Sequence, residues 1–277
     1  METKRRGIID MDTGWLLQEL RPKTEQQMRY AAKKRAIEEG KGPNFIACFP
    51  QELRKINHEL TLIEAGAAMR LLGYLRWKEN GRLIDCGKSL NIKDLAKIFG
   101  RGSTATKSII NRLEAFELVS KARDGRSNAF FINPRFFQFG GEIHTKDYTK
   151  LFIVKSRNLV EELSIQEAGL LWKVIPYFHF ATYYLCENYT EKDARIIRHM
   201  SRETLAYHIG HDRKTVGKLM SGLNKKGAVL INQANGSKRY LINPDLIFRK
   251  VADKDEYTRN VRKLFKQHEE IINKERE

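Results

Sequence analysis

The apolar positions of this chain switch between strand-like runs and helix-like spacing, and the same succession runs twice. It opens with a run of strand length, Phe45-Ile46-Ala47-Cys48-Phe49, answered later by Leu151-Phe152-Ile153-Val154. A helix follows through Ala65-Gly66-Ala67-Ala68-Met69-Arg70-Leu71-Leu72, matched by Ala168-Gly169-Leu170-Leu171-Trp172-Lys173-Val174-Ile175. Next comes a short helix over 92–99, with Ser89 or Asn91 as its cap and Gly100 as its stop. After the polar turn Arg101-Gly102-Ser103 a second helix runs over 104–116, where Ala105, Ile109, Ile110, Leu113 and Phe116 keep helical spacing and face a core. In the second pass Ser201 caps a helix over 202–209 that ends at Gly210. Asp212 then caps another helix with Val216, Leu219, Met220 and Leu223 inward. Each pass closes with strand, turn, strand: 118–121, Asp124-Gly125 and 128–132, then 228–231, Asn235-Gly236 and 238–242.

The two passes are copies of one unit. At an offset of 110, Leu95-Ala96-Lys97-Ile98-Phe99-Gly100 falls on Leu205-Ala206-Tyr207-His208-Ile209-Gly210, and Ile132-Asn133-Pro134 on Ile242-Asn243-Pro244. Upstream, Glu64-Ala65-Gly66 matches Glu167-Ala168-Gly169 at an offset of 103, so the second copy carries seven extra residues in between. Two short helices joined by a glycine-containing turn are a helix-turn-helix. Followed by a hairpin, with a short strand earlier in the unit, they give the order of a winged helix. The expected fold is therefore α+β, mainly helical with small β-hairpins. It consists of two tandem winged-helix domains over 44–141 and 142–250, with a helical arm over 1–43 and an amphipathic C-terminal helix over 251–277. In the arm, 1–14 read as flexible and 15–39 as helical with an interruption at Pro22, before the breaker Gly40-Lys41-Gly42-Pro43. In the last segment Tyr257, Val261, Leu264, His268 and Ile271 recur at spacings of 4, 3, 4 and 3, which suits either a homodimer contact or a cap on the second unit.

Charge points to the partner. The chain carries a net +17, distributed as +3 over 1–43, +7 over 44–140, +7 over 141–250 and zero over 251–277. An excess shared equally by both copies belongs to the repeated unit, and points to a polyanion such as double-stranded DNA. Cys48, Cys86 and Cys186 lack metal-ligand spacing and suit a reducing compartment. No run of about 18 apolar residues and no signal-peptide pattern stands in the sequence, so no membrane contact is expected, and a bacterial cytoplasm or nucleoid is.

The second helix of a helix-turn-helix enters the major groove with its N-terminal residues nearest the base edges. Removing core-facing positions leaves Ser103, Thr104, Lys107, Ser108, Asn111 and Arg112 in the first copy. The second copy offers Arg213, Lys214, Gly217, Lys218 and Ser221 at the equivalent places, with Lys225 further along the helix. Asn pairs with adenine and Lys reaches guanine acceptors, whereas Ser and Thr adapt to either. The wings add Lys121, Arg123 and Arg126, and Lys238 with Arg239, as phosphate contacts. The frame is duplicated but the reading residues are not, so the copies are expected to recognise different sequences.

The wing exit Asn128-Ala129-Phe130-Phe131-Ile132-Asn133-Pro134-Arg135-Phe136-Phe137-Gln138-Phe139-Gly140-Gly141 resembles the Asn-Pro-aromatic-to-Gly ending of RepL-type plasmid replication proteins. The resemblance covers 44–141. It continues through Tyr240-Leu241-Ile242-Asn243-Pro244 but not to the glycines, where Arg249-Lys250 stand. The tandem arrangement is similar to replication initiators of iteron plasmids, which also use two winged-helix units. These resemblances imply a plasmid or phage replication initiator that recruits replication machinery. A phage or plasmid transcription regulator working with transcription machinery, and a protein-interaction adaptor, are the alternatives. No enzymatic activity and no cofactor are expected. His208-Ile209-Gly210-His211 spells a class I aminoacyl-tRNA synthetase signature, yet it ends the first helix of a helix-turn-helix and no Lys-Met-Ser-Lys-Ser partner follows. No P-loop and no nucleophile–base arrangement is recognisable.

Overall fold

The computed structural model of the chain describes residues 7–9, 16–19, 45–125, 127–145, 147–234, 236–249 and 255–276. These fall into two units, Met1–Asn44 and Phe45–Glu277. In the first, β1 (Gly7–Ile9) and β2 (Leu16–Glu19) pair antiparallel, with Gly7 opposite Glu19 and Ile8 opposite Gln18. The helix expected to begin at residue 15 is thus replaced by a strand over Leu16–Glu19. Cross-strand pairing outweighs the weak helical propensity of so short a segment. The rest of that expected helix lies outside the described residues.

The second unit is α+β and internally duplicated. Its first half comprises β3 (Phe45–Cys48), α1 (Pro50–Asn57), α2 (Leu62–Leu71), the two-residue strands β4 (Ile84–Asp85) and β5 (Lys88–Ser89), and α3 (Ile92–Phe99). α4 (Ser103–Ala115), the hairpin β6 (Val119–Asp124) with β7 (Ser127–Ile132), and β8 (Phe137–Gln138) complete it. Its second half comprises β9 (Thr149–Phe152), α5 (Ile153–Glu162), α6 (Ile165–Val174), α7 (Arg202–Ile209) and α8 (Arg213–Lys225). The hairpin β10 (Val229–Ala234) with β11 (Ser237–Ile242), β12 (Ile247–Phe248) and finally α9 (Glu256–Arg276) follow.

The halves are joined about a dyad, and register identifies it. One antiparallel sheet runs β12-β9-β3-β8, so its two central strands come from different halves. Ala47 pairs with Lys150, its own equivalent at the offset of 103, while Ile46 pairs with Leu151 and Cys48 with Thr149. The outer strands obey the same symmetry: β8 sets Gln138 opposite Ala47, and β12 sets Phe248 opposite Lys150. The opening strands were expected to belong each to its own unit; they form instead the seam between the two. Beside this sheet, α2 and α6 cross in closest contact at Gly66 and Gly169. A Cβ on Gly66 would stand 1.8 Å from the Ile165 carbonyl oxygen, and one on Gly169 would stand 1.9 Å from that of Leu62. Both helices start with the same reciprocal cap, Thr61 with Glu64 and Ser164 with Glu167.

Charged side chains stitch across the dyad as well. Arg54 of α1 lies over the Tyr177 ring at 4.8 Å, and its equivalent Arg157 of α5 lies over Tyr74 at 5.1 Å. Arg70 donates to the Ile98 carbonyl at the end of α3 and, across the seam, to that of Leu163 (2.8 and 2.9 Å). Its equivalent Lys173 donates to Ile209 at the end of α7 and, across the seam, to Asn57 (2.8 and 2.5 Å). A cation at a helix C-terminus satisfies orphan carbonyls and opposes the dipole. One hydrophobic core accordingly runs through both halves.

The C-terminal helix docks on the second half. Thr258, Val261 and Phe265 are buried, His268 Nε2 lies 2.8 Å from the Asn224 carbonyl oxygen of α8, and Arg262 pairs with Asp245 at 2.8 Å. The expected five-residue stripe is therefore divided: Val261 and His268 face the fold, whereas Leu264 and Ile271 are exposed. Tyr257 stacks on Tyr183 and donates its hydroxyl to the Thr182 carbonyl at 3.0 Å, while part of its ring stays exposed. Phe265, outside that stripe, supplies an inward anchor.

Candidate nucleic-acid interface

Each pair of short helices is held at its ends by local hydrogen bonding. Asn91 caps α3 by accepting from the backbone of Lys93 and Asp94, and Gly100 ends it at φ +63°. Ser201 caps α7, which ends at Gly210 with φ +68°, where a side chain would also meet His58. Asp212 caps α8 by accepting from the Thr215 backbone N–H at 2.8 Å. Hydrogen bonding from the Thr215 side chain and then its backbone holds the Asp212 carboxyl below its usual range. The caps and stops expected from the sequence are all present, and α3 and α4 meet through the turn over 100–102.

On α4, Ile109, Ile110 and Leu113 are buried as expected, but Ala105 is exposed and Thr106 is fully buried in its place. The equivalent of Thr106 is Val216, also fully buried. Thr is close to Val in shape, so a periodicity that counts Thr as polar misses this core position. Phe116 is only half-buried. Ser103, Thr104, Lys107, Ser108 and Asn111 are all exposed, and Ala105 joins them as an apolar contact able to meet a thymine methyl. Lys107 and Asn111 have no side-chain hydrogen bond or ion pair among the described residues. Arg112 is exposed but tied back, its Nε 3.2 Å from Glu64 and its guanidinium over the Phe116 ring.

On α8, Lys214, Lys218 and Ser221 are exposed, and Ser221 Oγ donates back to the Gly217 carbonyl at 3.0 Å. Arg213 pairs with Glu203 at 2.5 Å, so it stands as part of an exposed ion pair. Lys225 is exposed in the last turn, far along the helix from the N-terminal positions. Gly217 leaves room for the Arg202 side chain, which a Cβ there would approach to 3.1 Å.

The hairpins hold Lys121 opposite Phe130, Arg123 opposite Asn128, Lys238 opposite Gln233 and Arg239 opposite Asn232. Arg123 and Lys238 are exposed; Arg239 is half-buried; Lys121 pairs with Glu114 at 2.8 Å. Arg126 lies outside the described residues. Each hairpin is a two-stranded sheet met by one isolated bridge, and the bridging segment is not the opening strand: Arg82 bridges Phe131 in the first half and Tyr184 bridges Leu241 in the second. Arg82 also pairs with Asp124, close to the hairpin turn, at 2.5 Å. A single bridging residue has no periodicity to announce it. Arg101, exposed in the turn before α4, is a further cation on this side that helical spacing could not single out.

Among the described residues no group of three His, Cys, Asp or Glu is placed to hold a metal ion, and no helix is long and apolar enough to cross a membrane. His208 and His211 serve locally: His208 Nε2 lies 3.5 Å from Glu187, and the His211 imidazole is pushed down to about 4 by burial and then by the charge of Lys173. Comparison with protein-family profiles, with curated proteins and with solved structures gives no match.

Proposed function

We propose that residues 45–249 are two fused winged helices that bind duplex DNA with sequence preference, and that the protein is the replication initiator of a plasmid or phage. One observation carries the DNA-binding reading. A helix-turn-helix followed by a two-stranded hairpin occurs twice about a dyad, each time with polar and cationic residues outward at the start of the second helix. Lys107 and Asn111, with Lys214 and Lys218, are the base readers in this proposal, while Arg123 and Lys238 hold phosphates. The initiator role rests on the likeness of the first wing exit to replication proteins. The reaction is recognition alone, with no covalent step assigned to the chain.

Binding to an origin fragment should be strongly salt-dependent, because the excess of +7 in each half must displace counterions. Contact with six to eight phosphates implies a slope of log K against log salt of about −5 to −7. A slope near zero removes the nucleic-acid reading. Nuclease protection of short repeats inside an origin supports an initiator; protection confined to a promoter makes the protein a transcription regulator instead.

A further inference from the structure

Although the halves obey one dyad, the two equivalent spaces beside the Arg–Tyr stacks do not match. Near Tyr177 the space is closed. Trp172 is fully buried, and Asn57 Nδ2 donates to the Lys173 carbonyl at 3.0 Å and reaches the Tyr177 hydroxyl at 3.4 Å. The Tyr177 hydroxyl in turn donates to the His208 carbonyl at 3.3 Å. Near Tyr74 the equivalents are smaller or cannot hydrogen-bond. Met69 stands for Trp172, Val160 for Asn57 and Gly73 for Pro176, and a cavity of about 290 Å³ opens between α2, the end of α3 and α5.

The walls of that cavity combine an apolar lining with excess positive charge. Met69, Leu72, Leu151 and Val160 are apolar and buried. Arg70, Arg157 and Lys97 contribute three cations against the single carboxylate of Glu161, which pairs with Arg157 at 3.4 Å and is exposed. Arg70 bonds through Nη1 and Nη2 to main-chain carbonyls, which leave its charge uncompensated, and its buried Nε has no hydrogen-bond partner among the described residues. Lys97 has no partner among the described residues, and its equivalent at the offset of 110 is the uncharged, exposed Tyr207. A volume near the lower limit of ligand pockets, apolar walls and two uncompensated cations describe one ligand chemistry.

We propose that this cavity is a binding site for a small organic anion, a flat apolar body carrying one carboxylate, and that it acts as an effector site. The effector role rests on the DNA-binding reading. Arg70 ties the end of α3 to Leu163 of the other half, so an occupant held by Arg70 bears on the joint between the two reading units.

The test is calorimetric titration of the full-length protein with indole-3-acetate, with uncharged indole and inorganic phosphate as comparisons. Saturable binding of indole-3-acetate is expected. Met69→Trp, which copies the closed space, and Lys97→Glu, at an exposed position that leaves folding intact, should each weaken it at least about tenfold, a loss of about 1.4 kcal/mol. Absence of saturation by about 10 mM overturns the site, as does equal binding by wild type and Lys97→Glu. Indole or phosphate binding as tightly as indole-3-acetate overturns the ligand class. Gel shifts with and without indole-3-acetate then test the effector role, and unchanged DNA affinity overturns it. A protein that binds the acid but no DNA at all rejects the DNA-binding reading and leaves the cavity assignment intact.

Discussion

Lys173 carries its ammonium into the core, where burial pushes its pKa down to about 8 despite the nearby Glu64 and Glu59. Two carbonyls, those of Asn57 and Ile209, receive it. Its charge also acts on His211, whose pKa burial and Lys173 together push down to about 4, with Asp212 opposing and His58 adding to the effect. His211 is therefore neutral in the fold at neutral pH, whereas an unfolded chain takes up its proton near pH 6.5. The unfolded state binds more protons between those values, so stability falls as the pH drops from about 6.5 towards 4. Lys173 has the same sign higher up: stability rises as the pH climbs from about 8 towards 10.5, the range in which the unfolded lysine is still charged. Burial also lowers the pKa of His179 and His199, so His211 supplies only part of the acid sensitivity. Thermal melts at pH 7 and pH 5 should show a smaller drop in Tm for His211→Gln than for the wild type. An equal drop would place the acid sensitivity elsewhere.

Among the elements, the α2–α6 crossing is the least forgiving, because Gly66 and Gly169 bring main chain against main chain. The Ile165 carbonyl cannot swing away as a side chain could, so Gly66→Ala should force the helices apart and cost roughly 3 kcal/mol or more in urea unfolding. Gly102→Ala is the control, since nothing lies within 4 Å of the added methyl. It should cost under about 1 kcal/mol. A loss at Gly66 no larger than at Gly102 would contradict this packing. The same elements separate what is legible in a sequence from what is not. Asn91, Ser201, Asp212, Gly100 and Gly210 cap or stop their helices by bonds to neighbours a few residues away, and local spacing reveals such bonds. The repeated Glu-Ala-Gly block is equally visible, but the crossing it builds is not, since the partner helix lies about 100 residues off. For the same reason a short apolar run cannot say that β3 pairs with β9 across the seam. Thr106 and Ala105 exchange roles because burial follows shape rather than polarity class. Phe265 is missed because its helix has two apolar stripes, and periodicity alone does not choose between them. At the candidate interface the exposed positions are legible, yet the ion pairs that engage Arg112, Lys121 and Arg213 come from acids on neighbouring elements, which helical spacing does not show. The groups left unengaged define the sharper mutation. Lys107→Ala with Asn111→Ala should lower specific binding by about 1–3 kcal/mol for each base contact and barely alter non-specific binding. Arg123→Ala with Lys238→Ala should weaken both together. If the first pair weakens every sequence equally, α4 does not read bases.

At the scale of the whole molecule, the dyad constrains how α4 and α8 could share one duplex under the DNA-binding proposal. They are related by the rotation that exchanges Ala47 with Lys150, and they are joined by a common sheet and a common core. A joint of this kind does not behave as a flexible linker. If they bind one duplex as proposed, the helices must meet it in opposite orientations and at one fixed separation. Their proposed reading residues nonetheless differ at equivalent places: Thr104 against Lys214, Lys107 against Gly217, Ser108 against Lys218 and Asn111 against Ser221. On the DNA-binding proposal, the target is then two unlike half-sites arranged head to head, recognised by a single chain. Reversing one half-site in place should cost affinity for that half almost entirely, because its bases would face the helix in the wrong order. Inserting one base pair between the half-sites turns one of them by about a tenth of a helical turn, and a rigid body cannot follow while keeping both helices seated in the groove. Each base pair that goes unread adds about 1–3 kcal/mol to the cost. Gel shifts with the reversed and the lengthened sites measure both effects at constant salt. Equal affinity for the original, reversed and lengthened sites would mean that the halves bind independently, and that the shared sheet does not govern recognition.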